Sequence, residues 1–164
     1  MNTGNDSGLE ALTAIDRLIA IMTMLRDKQH GCPWDLEQTI KSLLPYTLEE
    51  VYEVADAIEN NDLVELEDEL GDLLFQVIFY AQIAKEQGAF DFQDIATAIT
   101  DKLIRRHPHV FPDGDVEQFG ISQEIDAQQV VVNWEAIKEI EREEKRKKGG
   151  KQVVQGAESI LDDV

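Results

Sequence analysis

One short turn restricts this chain more than any other feature: Glu59-Asn60-Asn61-Asp62, set between two long stretches of helical periodicity. Upstream of it, Thr47 precedes Glu50 by three residues, the spacing of a capping box, so a helix is predicted from Thr47 to Glu59. Downstream, Asp62 and Glu65 repeat the signature, and Leu70, Leu73, Leu74, Val77, Ile78 and Ala81 recur at helical steps toward a stop at Gly88. So short a link makes the two helices antiparallel neighbours. Residues on their facing sides are thereby brought into one seam.

Further helices follow from the same periodicity. Leu12, Ile15, Ile19 and Met22, with Leu18 and Leu25 beside them, form an apolar stripe that predicts a first helix from Leu9 to Asp27. Gly31 and Pro33 in "KQHGCPWD" interrupt it, and Asp35 with Gln38 is spaced to start a short helix that Pro45 ends or kinks. Asp91 is placed to cap a helix that carries Ile95, Ile99 and Leu103 and stops before Pro108. A connector at 113–128 leads to a last helix at 129–148 with Val132, Trp134, Ile137 and Ile140, ending in the mixed-charge run "EREEKRKK". Strand signals are nearly absent, "VVV" at 130–132 being the exception. The expected fold class is therefore all-α, a four-helix core with an additional C-terminal helix. We expect residues 1–8 to be a disordered leader, 9–148 one helical domain, and 149–164 a flexible tail or linker.

Charge narrows the partners. Fifteen Lys and Arg face 34 Asp and Glu, a formal charge of -19, which repels nucleic acid and anionic membrane surfaces. A polyanionic partner then needs a cation to mediate it. Cys32 is the single cysteine, so no intramolecular disulfide forms, and no apolar run is long enough to span a bilayer. These features predict a soluble cytoplasmic protein.

Acidic residues are so frequent here that one i, i+3 pair carries no information, and a solvated acidic face is the plain reading of the Glu50 helix. Two pairs on neighbouring helices are more telling. Glu50 with Glu53, and Glu69 with Asp72, each share a helix face, and the antiparallel turn can aim the pairs at each other. Asp72 precedes Leu73 and Leu74, and Gly71 would allow a neighbouring backbone close, which sets these acids near a packed seam. Four facing carboxylates repel unless a cation joins them, and oxygen ligands without His or Cys select Mg²⁺ or Mn²⁺ over Zn²⁺.

Lys102, Arg105 and Arg106 gather cations at the end of the helix before Pro108. They are either dipole-satisfying residues at a helix C-terminus or, beside a carboxylate-metal cluster, clamps for phosphate. Trp34 and Trp134 suit base stacking, though a buried indole in a helical core is as common. His30 with Cys32 and His107 with His109 sit beside prolines in unpatterned loops, which argues against zinc. The sequence has no Glu-x-x-His for a di-iron bundle and no GxxxxGK loop.

Five segments, "MLRDKQHGCPWDLEQT", "YTLEEVYEV", "ELGDLLFQVIFYAQIA", "FDFQDIATAITDKLIRRHPHVF" and "NWEAIKEIE", occur in this order across residues 12 to 145. Together they resemble the MazG family of nucleoside triphosphate pyrophosphohydrolases, all-α enzymes related to the dimeric dUTPases. The resemblance implies hydrolysis of a nucleoside triphosphate to monophosphate and pyrophosphate. It implies Mg²⁺ held by Glu50, Glu53, Glu69 and Asp72, with Glu49 as the extra acid of the motif, there to orient or deprotonate water or to hold a second ion. Many family members are about twice this length and carry a second copy of the acidic motif, whereas this chain has one copy and reads as a first half. A homodimer or dimer of dimers is expected, both from the family and from the apolar surface of the first and third helices. The competing expectation is an inactive helical half that dimerises and regulates.

Overall fold

A computed structural model describes residues 12–121 and 124–149. The expected leader, most of the expected tail and the predicted start at Leu9 lie outside the described residues. Six α-helices make up the described chain: α1 Ala14–Leu25, α2 Pro33–Glu37, α3 Ile40–Glu59, α4 Leu63–Glu86, α5 Phe92–Arg106 and α6 Ala127–Gly149. No strand occurs among the described residues, and Val130, Val131 and Val132 lie within α6. The fold is all-α, as the periodicity predicts. Among the described residues, no helix is long and apolar enough to cross a membrane. The chain divides after Ala98, inside α5, into two compact units.

In the first unit, α1 begins at Thr13, whose hydroxyl accepts from the Asp16 N–H, and ends at the cap Arg26, one residue short of the predicted end. The loop that follows is tight. Cys32 N–H donates to Leu25 O, Gly31 N–H donates to Asp27 O, and the Asp27 carboxylate accepts from the Gln29 and His30 N–H groups. Those backbone donors hold the Asp27 carboxyl below its usual range. A Cβ at Gly31 would lie 2.4 Å from Leu25 O and 2.5 Å from Asp27 O, so only glycine fits.

Two local predictions fail here. Asp35 does not cap α2; Cys32 occupies the N-cap with Pro33 following, and Asp35 lies in the first turn, buried. Nor does Pro45 end a short helix or Thr47 open a new one. α3 starts at a capping box between Thr39 and Ser42 and runs through Pro45 to Glu59. An interior proline costs about 3 kcal/mol. Full burial of Leu43, at about 1.5–3 kcal/mol, and a cap worth about 1 kcal/mol offset it. Thr47 instead turns its hydroxyl into the seam with α4.

The turn itself behaves as the sequence predicts. Asn61 takes the left-handed conformation (φ 53°), which asparagine tolerates, and Asp62 caps α4 by accepting from the Val64 and Glu65 N–H groups. α4 then packs against α3 and α1. The core consists of Met22 of α1, Leu43 of α3 and Ile78, Phe79 and Ile83 of α4, with Phe92 at the start of α5 packed on it. Burial on α4 is confined to its second half, from Gln76 to Ala84, so the N-terminal half that bears Glu69 and Asp72 projects beyond the core. Arg26 ties the α2 region to this core: its guanidinium donates to Asp35 O and Gln38 O and forms a bidentate pair with Glu86 at 2.7 and 2.9 Å.

In the second unit, the end of α5 is fixed to α6 by ion pairs from Arg105 (2.7 Å) and Arg106 (2.6 Å) to Glu141. Two short 3₁₀ turns, Pro112–Gly114 and Val116–Gln118, occupy part of the connector.

Two glycines give opposite expectations. Gly31→Ala should lower stability by about 1–3 kcal/mol, because the added methyl meets backbone atoms that cannot yield. Gly71 lies inside α4, and a Cβ there meets nothing within 4 Å among the described residues, so the expected close backbone approach is absent. Gly71→Ala should raise stability by about 0.5–1 kcal/mol through helix propensity alone. Denaturant titration of both variants checks the pair.

Candidate metal site

Burial and antiparallel pairing of α3 and α4 decide which acids meet. Residues 40, 43, 47, 50, 54 and 57 of α3 are the less exposed positions, spaced at helical steps along one side. Glu50 belongs to that stripe, and Glu69 lies on the corresponding side of α4, half-buried. Glu50, Glu69 and Asp72 each offer a carboxylate oxygen, all three within 4.8 Å of one another. Glu53 is exposed and stands outside this convergence, but its charge and hydrogen bonding help to raise the pKa of both Glu50 and Glu69. Glu49 is exposed, and its charge acts on Glu50.

The electrostatics are those of a cluster short of positive charge. Burial, then the charges of Asp72, Glu53 and Glu49, push the Glu50 carboxyl above its usual range. Glu69 is pushed from 4.5 to about 7, first by burial and then by Glu53, Glu65 and Asp72. One of its oxygens, Oε2, is buried with no hydrogen-bond partner. A buried, unpartnered carboxylate oxygen costs stability unless a proton or a cation meets it. Three converging carboxylates, one of them on the residue with this orphan oxygen, form an acidic cluster able to hold a metal ion. His30, Cys32, His107 and His109 belong to no converging group among the described residues. The groove beside the cluster is lined by Glu53, Asp56, Asn60, Asp62, Glu65 and Glu69.

The predicted phosphate-binding residues lie in the second unit, where the two arginines have a local partner. Arg105 donates from Nε to Glu141 Oε1, and Arg106 donates from Nη2 to Glu141 Oε2. The two guanidinium groups, Arg106 first, hold the Glu141 carboxyl down to about 2. Lys102 is half-buried and makes no ion pair among the described residues. Trp134 is half-buried, edge-on to His107 at 5.2 Å, and its indole N–H is buried without an acceptor. Trp34 is exposed and edge-on to Tyr46 at 5.4 Å. Glu141 escaped sequence reasoning because it lies 36 residues from Arg105 with no local pattern linking them. The hydrogen bonds of Thr47, Gln76 and Tyr80 also escaped it, since the capping-box spacing gave Thr47 another role.

The Glu69 shift has a stability consequence. A carboxyl whose pKa is raised in the fold gives stability that is present below its ordinary value and lost as pH climbs through the raised one. With a chelator present, the protein should therefore weaken between pH 4.5 and about 7 on account of Glu69. Glu69→Gln should remove that loss, so its melting temperature relative to the wild type should rise as pH passes through about 7. Equal offsets at roughly pH 5 and pH 8 would show that Glu69 carries no such strain.

The family described as the MazG nucleotide pyrophosphohydrolase domain matches residues 38–111, the stretch holding all five acids and the α5 cations. A nucleoside triphosphate pyrophosphohydrolase of Escherichia coli K12 is 55% identical over 134 residues, which is 82% of this chain and 48% of that protein. The Thermotoga maritima nucleoside triphosphate pyrophosphohydrolase/pyrophosphatase MazG is 43% identical over 84% of this chain and 49% of its own length. The chain thus spans about half the length of these curated relatives. Among solved structures, a mazG-related protein from Thermotoga maritima superposes with a TM-score of 0.59 at 28% identity, covering 76% of this chain and 98% of that one. By sequence and by fold, the chain belongs to the MazG family.

Proposed function

We propose that the chain hydrolyses nucleoside triphosphates to monophosphate and pyrophosphate, in a Mg²⁺-dependent reaction that clears unwanted nucleotides from the cytoplasmic pool. The observation that carries this reading is that one carboxylate oxygen each from Glu50, Glu69 and Asp72 lies within 4.8 Å of the others, while Glu69 also has a buried oxygen with no hydrogen-bond partner. The activity named for the Escherichia coli and Thermotoga maritima relatives supports it. Glu50, Glu53, Glu69 and Asp72 are the proposed ligands. A divalent ion bound there neutralises phosphate oxygens and lowers the pKa of bound water. Glu49 orients or deprotonates the water that attacks the α-phosphorus, or serves a second ion.

Lys102, Arg105 and Arg106 are the proposed contacts to the departing phosphates. Glu141 engages Nε and Nη2 of both arginines, which leaves the Nη1 edge of each guanidinium for a phosphate oxygen. Trp34 and Trp134 are the proposed base contacts, Trp34 being the more exposed. The working unit is the helical domain 9–148, acting as a homodimer or dimer of dimers. Leu44, Leu48, Val51 and Ile58 form an exposed apolar stripe along α3, with Leu63, Val64 and Leu70 exposed on α4, and a second copy is the proposed cover. Light scattering at micromolar concentration should return at least twice 18.6 kDa; a monomer mass would refute the dimer.

The bond that breaks tests the enzyme class. Hydrolysis in ¹⁸O-water should label the nucleoside monophosphate and leave pyrophosphate unlabelled, because water enters at the α-phosphorus. Arg105→Ala or Arg106→Ala should weaken triphosphate binding by about 1.5–3 kcal/mol each while leaving Mg²⁺ binding unchanged. Label in released phosphate would mean attack at the γ-phosphorus. Absence of turnover with Mg²⁺ still bound would favour the inactive regulatory half.

A further inference from the structure

Across the α3–α4 seam, facing residues pair in successive rungs: Glu50 with Asp72, and Thr47 with Gln76. Three residues of helix rise about 4.5 Å, so the Thr47–Gln76 rung adjoins the acidic cluster on its core side. This rung is polar where its surroundings are apolar. Gln76 is 6% exposed and opens the buried run of α4 that includes Ile78 and Phe79, while Thr47 follows the buried Leu43 of α3 by one turn. Thr47 Oγ1 lies 3.2 Å from Gln76 Oε1, 3.2 Å from Leu43 O and 2.7 Å from Tyr80 Oη. The two carbonyl oxygens can only accept, so the Tyr80 hydroxyl donates to Thr47, whose own proton the carbonyls share.

Apolar side chains alone tolerate sliding of one helix past the other, whereas a buried amide and two hydroxyls are satisfied at a single register. The difference matters because the site has little slack. A slip of one helical turn displaces facing residues by about 5.4 Å, more than the 4.8 Å that encloses the three carboxylate oxygens. Gln76 also stands four residues after Asp72 on α4, and helical side chains lean toward the N-terminus, so its amide leans toward the cluster.

We propose that Thr47, Gln76 and Tyr80 are positioning residues: their hydrogen bonds set the register of α3 on α4 and so hold Glu50, Glu69 and Asp72 at cation-binding separation. The proposal rests on the cluster being a divalent-cation site. A purely structural network would cost stability when broken and leave the ion's affinity alone.

Calorimetric titration of the protein with Mg²⁺ and, separately, Ca²⁺ distinguishes these, with chelated melts run alongside. Thr47→Val and Tyr80→Phe should each bind Mg²⁺ about 10- to 100-fold more weakly. Thr47→Ser, which keeps the hydroxyl, should stay within about threefold of the wild type. Mg²⁺ demands near-octahedral geometry and Ca²⁺ does not, so Mg²⁺ affinity should fall more than Ca²⁺ affinity. Tyr80→Phe removes one oxygen from a half-buried ring and carries the test if Thr47→Val does not fold. Mg²⁺ affinity within about twofold of wild type in the folded variants, whatever their melting temperatures, would overturn the proposal. A wild type that binds neither ion would instead sink the cation-site reading on which it rests, and is recognisable before any variant is made.

Discussion

The antiparallel pairing of α3 and α4 is the constraint on which the first unit depends. It is set at one end by a turn with left-handed Asn61 and the Asp62 cap, and farther along by full burial of Leu43 and Phe79. Between those anchors, the seam changes from apolar to acidic along its length. The second half of α4 supplies most of the core, while the first half carries Glu69 and Asp72 out beside Glu50. Structural stability and ligand chemistry are thus separated along a single helix. Hydrophobic burial at one end holds mutually repelling carboxylates together at the other.

That arrangement makes the cluster a source of stored electrostatic strain. Glu69 at about 7 and a raised Glu50 both report carboxylates that prefer a proton or a cation to each other. In a chain of formal charge -19, the nearest relief is from solution, and divalent cations relieve it best because each delivers two charges to oxygen donors. The second unit shows the reverse balance. Arg105 and Arg106 share one carboxylate, so the Arg105–Glu141–Arg106 group keeps a net positive charge.

Much of this was legible in the sequence because it is written in short spacings. The turn, the Asp62 and Asp91 caps and the meeting of Glu50 with Glu69 and Asp72 follow from i, i+3 patterns and one short link, whereas Glu53 stands outside that group. Illegible features were those decided by distant burial. Thr47 has a capping spacing with Glu50, yet the deep placement of Leu43 and the Thr39–Ser42 box extend α3 upstream through Pro45, and the threonine becomes a seam residue. Asp35 likewise carried a capping spacing, but Pro33 after Cys32 began α2 earlier. Gly71 suggested a close approach, and the space beside it is open among the described residues. The pairing of Glu141 with two arginines on another helix has no sequence signature at all.

The central claim is that the α3–α4 seam builds a divalent-cation site from Glu50, Glu69 and Asp72. Calorimetric titration of Mg²⁺ into the wild type and into Asp72→Asn, each with and without a non-hydrolysable nucleoside triphosphate, addresses it most directly. The account predicts saturable Mg²⁺ binding that the triphosphate strengthens, and loss of that binding in Asp72→Asn with helical content intact. Unchanged Mg²⁺ affinity in a folded Asp72→Asn would contradict it and return these acids to a solvated face.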